Sequence, residues 1–206
     1  MGLDMSLFKM HRYKNTTPKD IDNIQSYLEW VEAKEKGSEY AKCTFKEWCG
    51  VAEEELPPQE IIDFYAAHYN TKYWSWDVNH QYGHKMIMQE IADWRKKNAI
   101  HQWFVENVQD GIDDCQFHRE VTKDDLENLK HACKTVLDTC FVVDGEVVVN
   151  NVVANELLPT QSGFFFGGTE YDEWYMEGLK YTIDVINKIL KETDFDTYAI
   201  YYVSSW

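Results

Sequence analysis

Between residues 86 and 108, Ile87, Ile91, Trp94, Asn98, His101, Val105 and Val108 recur at steps of three and four, the spacing of one face of an α-helix. Asn98 and His101 interrupt an otherwise apolar stripe, and a buried polar group without a hydrogen bond costs roughly 1–3 kcal/mol. Each therefore needs a partner from the protein, from water or from a bound molecule. Arg95 flanks the stripe between Trp94 and Asn98, and Trp103 follows. One reading is a pocket wall: Trp94 or Trp103 stacks on a planar group while Arg95, Asn98 and His101 bond its polar edge. The other is a core histidine satisfied within the fold, with Asn98 bonded to a neighbouring loop. Periodicity alone does not separate them.

A second constellation runs Pro159-Thr160-Gln161-Ser162-Gly163-Phe164-Phe165-Phe166-Gly167-Gly168-Thr169-Glu170-Tyr171-Asp172. Thr160, Gln161 and Ser162 supply hydroxyls and an amide, and the glycine pair permits a close approach that a side chain would forbid. It is not a phosphate loop. A Walker lysine is missing, and Glu170, Asp172 and Glu173 complement the dipole of the helix that follows and would repel an anion there. These acids suit hydrogen bonds from a ribose, an amine or a partner's arginine. Phe164-Phe165-Phe166 is expected as a buried strand. Together the two stretches give a candidate ligand-binding set of Trp94, Arg95, Asn98, His101, Trp103, Thr160, Gln161, Ser162, Phe166, Glu170 and Tyr171.

The catalytic inventory is thinner. His101 with Glu170 or Asp172 offers a base and its orienter, and Cys115, beside Asp113, Asp114 and His118, offers a nucleophile. Neither pairing has diagnostic spacing, and carboxylates around a thiolate raise its pKa rather than activate it. No GxSxG, Rossmann glycine pattern or zinc-deaminase signature is present, so no catalytic residue and no cofactor is assigned. His80 and His84 have the i, i+4 spacing of two imidazoles on one metal, but Gly83 lies between them and no accompanying acid completes a motif; no metal is expected. Five cysteines, Cys43, Cys49, Cys115, Cys133 and Cys140, are an odd number without CxxC, which argues against a disulfide framework and for buried thiols at Cys133 and Cys140.

The 206 residues carry 20 Lys+Arg against 36 Asp+Glu, a formal net charge of −16. Such a surface repels nucleic acid and anionic lipid alike. Aromatic residues make up 15% of the chain, enough for a core, so whole-chain disorder is not expected. No apolar run reaches a membrane span and no signal peptide opens the chain, which reads as cytoplasmic.

The elements that must position these residues follow from periodicity and caps. Residues 2–13 and 198–203 read as strands that pair, closing the fold. Residues 20–36 form a helix between Thr17-Pro18 and Gly37, and Pro57-Pro58 opens another. Residues 73–78 alternate aromatic and polar side chains, as a short strand or aromatic loop. Residues 86–108, without Gly or Pro, predict a continuous helix of about six turns. Thr122 to Asp125 is a capping box for a helix to about Leu137. Residues 141–149 form a hairpin about Asp144-Gly145, and residues 169–172 cap a last helix to about Lys191. The expectation is one helix-dominated α+β domain over 1–206 with a small sheet pairing the N- and C-terminal strands, in which 15–80 reads as an inserted subdomain.

The opening Met1-Gly2-Leu3-Asp4-Met5, the stretch Trp94-Arg95-Lys96-Lys97-Asn98-Ala99-Ile100-His101-Gln102-Trp103-Phe104-Val105, the turn Asp113-Asp114-Cys115, the segment 157–175 and the ending Ser204-Ser205-Trp206 resemble a family of uncharacterised bacteriophage and prophage proteins. The resemblance leaves 15–80 outside it and implies a setting, an accessory protein in the host cytosol, rather than a reaction. Three readings of function follow. In the first, the chain binds and sequesters a small polar or nucleotide-like host defence signal without turnover. In the second, an acidic inhibitor occupies a basic host protein by nucleic-acid mimicry. In the third, a hydrolase uses His101 as general base. Aromatic density is compatible with a homodimer.

Overall fold

The computed structural model describes residues 2–13, 16–69, 71–72 and 85–206. In chain order the elements are β1 (Asp4–His11), α1 (Pro18–Glu35), α2 (Phe45–Cys49), α3 (Gln59–His68), β2 (Thr71–Lys72), β3 (Lys85–Met86), β4 (Met88–Arg95), α4 (Asn98–Asn107), α5 (Lys123–Asp138), β5 (Phe141–Val143), β6 (Glu146–Val148), α6 (Asn151–Leu157), α7 (Glu173–Glu192) and β7 (Tyr198–Ser205). The fold is α+β and helix-dominated, with a small antiparallel sheet in the order β4-β1-β7, so the first and last strands are neighbours. Among the described residues no helix is long and apolar enough to cross a membrane.

The chain divides into two compact units, one of Met1–Phe8 with Ile91–Trp206, the other of Lys9–Glu90. In the second, Thr17 caps α1 by accepting from the Asp20 N–H while the Asp20 carboxylate accepts in return, a reciprocal box that satisfies two otherwise orphaned donors. The α1 residue Trp30 packs with Ala41 and Phe45 and donates its indole N–H to the Cys43 carbonyl at 3.1 Å. The aromatic stretch 73–78 and the pair His80 and His84 lie outside the described residues.

In the first unit α5 and α7 pack together and bury Leu126, Leu129, Cys133 and Val136 with Leu179, Ile186 and Ile189. Leu3, Met5 and Leu7 of the β1 segment complete this core with Ile100 and Phe104 of α4 and Tyr202 of β7. The Phe104 and Tyr202 rings stack with centroids 4.1 Å apart. All five cysteines are free; Cys133 is buried and Cys140 half-buried, and burial pushes the Cys133 thiol pKa well up.

Three expectations are corrected. The continuous helix 86–108 is instead strand β4 followed by helix α4. In β4 the buried residues Ala92 and Trp94 alternate with the exposed Asp93 and Arg95, a period of two that matches one face of a sheet. The strand 164–166 is a turn, with Phe164 96% exposed. Gly163 lets this turn close, because a Cβ there would meet the Phe166 ring at 2.7 Å. The last helix is capped by Asp172, whose Oδ1 accepts from the Tyr175 N–H at 2.9 Å; Thr169 instead uses its carbonyl to accept from the Thr160 hydroxyl at 2.9 Å.

Candidate functional site

Strand β4 passes into α4 through Lys96, whose φ of 55° lies in the left-handed region that most side chains avoid. Its N–H donates to the Leu3 carbonyl at 2.8 Å. The loop 160–172 crosses this corner at Gly167, which has φ +91°, and a Cβ there would stand 3.1 Å from Lys96 Cβ and 3.3 Å from the Lys96 carbonyl oxygen. Glycine serves here for both reasons, backbone angle and close approach.

Asn98, buried in the first turn of α4, fastens that loop at two places. Its Nδ2 donates to the Phe166 carbonyl at 3.1 Å and the Gly168 carbonyl at 2.8 Å. Its Oδ1 accepts from the Gln161 N–H at 2.9 Å. Three of the four hydrogen-bonding positions of the amide are thereby spent on backbone groups of one loop.

Around this staple lies a recess of about 40 Å³, lined by Lys96 to Ile100 from the corner, by Thr160, Gly168, Glu170 and Asp172 from the loop, and by Trp174, Tyr175, Gly178 and Leu179 from α7. By volume it holds about three waters or the polar head of a larger molecule. The Lys97 Nζ stands 3.3 Å above the centroid of the Trp174 ring, inside cation–π range, and donates to the Trp174 carbonyl at 2.8 Å. Its stem lies on bare helix at Gly178, where a Cβ would come within 2.8 Å of Lys97 Cδ. Burial lowers the Lys97 pKa, opposed by the carboxylates of Glu177 and Asp172. The N-cap residue Lys97 makes no side-chain cap and no acid stands in the first turn of α4, so among the described residues its positive end is left for another group to complement. The recess thus presents a cation and a helix amino end beside a hydroxyl and two exposed carboxylates, Glu170 and Asp172.

The candidate set divides on this geometry. Asn98, Thr160 and Glu170 line the recess. Trp94 is buried and donates its indole N–H to the Thr182 hydroxyl at 3.0 Å. Arg95 is exposed and pairs with Asp4 at 3.0 Å, and Trp103 packs edge-on against Phe104 in the core. Gln161 and Ser162 are exposed. Tyr171 donates to Asn155 Oδ1 at 3.4 Å and meets Tyr175 edge-on. Phe166, half-buried, meets the His101 ring edge-on.

His101 is fully buried, with both nitrogens engaged. Nδ1 lies 2.8 Å from the Tyr202 hydroxyl and Nε2 lies 3.1 Å from Asp113 Oδ2. A carboxylate only accepts, so the Nε2–H donates to Asp113 and the Tyr202 O–H donates to Nδ1. Asp113 Oδ1 accepts from the Trp206 indole N–H at 3.0 Å. Burial lowers the His101 pKa against the raising influence of Asp113 and drives that of Tyr202 far up. The orienting acid is therefore Asp113, not Glu170 or Asp172.

Sequence reasoning missed Lys97, Trp174 and Gly178, and missed Asp113 as the partner of His101. Lys97 and Trp174 are 77 positions apart, and neither stands in an unusual local pattern. One signal was present: Lys96 and Lys97 stand directly before a run, Asn98 to His101, that carries no acid. Comparison with protein-family models, with characterised proteins and with solved structures finds no match to this chain.

Proposed function

We propose that this protein binds and sequesters a small polar, nucleotide-like molecule, taking its polar head into the recess between α4, the loop 160–172 and α7 without turning it over. The observation that carries this reading is the recess itself, in which Lys97 and the uncapped amino end of α4 sit beside Thr160, Glu170 and Asp172. A phosphate ester offers anionic oxygens to the first pair and sugar hydroxyls to the carboxylates, so both signs of charge find complements in one molecule. The engaged nitrogens of His101 support binding over hydrolysis, because a general base needs a lone pair within reach of the proton it takes. The phage resemblance supplies the setting, the host cytosol during infection, and the host defence signal as the ligand.

Native mass spectrometry of the protein purified from host cells with an active defence response tests this. A bound mass in the nucleotide range is expected, released on denaturation and absent from Lys97→Ala and from the double variant Glu170→Ala/Asp172→Ala. Wild type that carries no adduct, or an adduct kept by all the folded variants, sinks the reading.

A further inference from the structure

A recess of about 40 Å³ admits one compact polar group or a few waters, so the flat ring of a nucleotide bound there has to lie outside it, against a surface that adjoins the Lys97 ammonium. Two of the lining residues are aromatic, Trp174 and Tyr175. Tyr175 is 7% exposed and its hydroxyl donates to the Leu158 carbonyl at 2.9 Å, which closes its ring to a ligand. Trp174, in the first turn of α7, is 57% exposed.

The indole of Trp174 is left open on one side only. Trp94 and Trp30 spend their indole N–H groups on the Thr182 hydroxyl and the Cys43 carbonyl, whereas among the described residues the Trp174 N–H has no partner and its ring meets no other ring. The Lys97 Nζ stands 3.3 Å above the ring centroid. That ammonium covers one face, so the exposure belongs to the opposite face and the edge. Lys97 is itself seated without a counter-ion. It donates to the Trp174 carbonyl at 2.8 Å, and among the described residues no carboxylate stands within ion-pair distance of it, although Glu177 and Asp172 act on it from farther away. An ammonium has three donors, so it keeps donors for an anionic oxygen while its charge rests on the ring.

We infer that Trp174 is the platform on which the base of the sequestered molecule stacks, on the indole face opposite Lys97, which makes the ligand a nucleotide with an aromatic base rather than a sugar phosphate. This inference rests on the reading of the recess given above and adds the part of the ligand that the recess is too small to hold. The electrostatics of the ring select the occupant. An aromatic face carries negative potential, and the ammonium draws it toward the covered side. The open face therefore repels an electron-rich base less than a bare indole would. It also attracts a second cation less, so an amine is a poorer occupant than a base. The phosphate then falls to Lys97, and the sugar to the carboxylates of Glu170 and Asp172 that also line the recess.

Isothermal titration calorimetry of the full chain with adenosine monophosphate and with ribose phosphate, which lacks the base, reads the outcome. Wild type is expected to bind the first at least about tenfold more tightly, because a stacked base contributes roughly five- to a hundredfold in affinity. Trp174→Ala should bring the ratio of the two affinities close to one, and Trp174→Phe, which keeps an aromatic face, should hold it at several-fold. The ratio is the quantity to read, since a shift in the seat of Lys97 affects both probes alike, and its wild-type value needs no variant. Equal affinities in wild type overturn the stacking and leave the recess reading in place, and so does a ratio that Trp174→Ala leaves unchanged. Loss of both probes together in folded Trp174→Ala makes Trp174 a support of the recess and overturns the stacking as well. Wild type that binds neither probe overturns both this inference and the reading beneath it.

Discussion

His101 shows how a residue that reads as chemistry in the sequence becomes structure in the fold. Its partners, Tyr202 and Asp113, lie 101 and 12 positions away, so no local pattern announces them. The network has a pH signature. The folded pKa of His101 lies below its ordinary value of 6.5 because burial disfavours the cation. Above that value both folded and unfolded chains hold a neutral ring and the residue contributes nothing to pH dependence. As pH falls through 6.5 the unfolded chain takes a proton that the folded chain refuses, and stability drops by up to about 1.4 kcal/mol per pH unit until the folded pKa is reached. His11, lowered by burial and by the neighbouring His68, acts in the same direction. Asp22 acts oppositely, because burial raises its pKa to about 6, and the folded chain then binds the proton more readily. The quantity to measure is therefore the difference between wild type and His101→Gln in urea unfolding from pH 8 to pH 5. We expect the variant to be less stable at pH 8 and the gap to narrow toward pH 5; a gap constant with pH would mean that His101 is not the group taking up the proton.

At the scale of elements, what could be read in the sequence is what local chemistry decides. The Thr17-Pro18 start of α1, the capping box of α5 and the Asp144-Gly145 turn reappear in the structure within a residue or two, because each is settled by contacts three or four positions apart, and the terminal segments reappear as strands because they are rich in β-forming residues. The boundary between β4 and α4 is not of that kind. Ile87, Ile91, Trp94, Asn98 and His101 fit a helical face, and nothing between residues 86 and 108 is a breaker; the break is made by Lys96 adopting φ 55°, held by its bond to Leu3 and by the approach of Gly167. Long-range contacts thus override a local pattern, and with the boundary goes the recess, whose wall is that corner. Asn98 was legible as a polar interruption, and Thr160 and Glu170 as polar groups of a separate stretch, but their meeting around one recess was not. The corner also makes a prediction. A left-handed conformation costs an ordinary side chain roughly 1–2 kcal/mol, partly repaid when glycine is used by the larger entropy glycine loses on folding. Lys96→Gly is therefore expected to raise stability by about 0.5–1 kcal/mol in chemical unfolding, and Lys96→Val to lower it, since a β-branched side chain is poorest in that region. Equal stabilities for the two variants would show that the corner is not strained.

For the whole molecule the governing quantity is the imbalance of 36 acids against 20 bases. Several of the ion pairs that do form are local, such as Lys36 with Glu32, Lys42 with Glu39 and Lys130 with Glu127, and pairs at that spacing contribute only about 0.2–0.5 kcal/mol each. Long-range repulsion among the unpaired carboxylates acts against the compact state, and salt removes it: the screening length falls from roughly 30 Å at 0.01 M to 10 Å at 0.1 M. Thermal unfolding should therefore shift upward by on the order of 2–4 °C over that range, the response to about 1 kcal/mol for a chain of this size, and a downward shift would mean that attractive pairs dominate. The same salt series tests capture of a basic partner. Binding of a basic protein by an acidic face must weaken as the charges are screened. Sedimentation of the chain with a polycation such as polylysine at the two salt concentrations reads that sign, and binding that holds or tightens with salt would show that the acidic surface is not the contact.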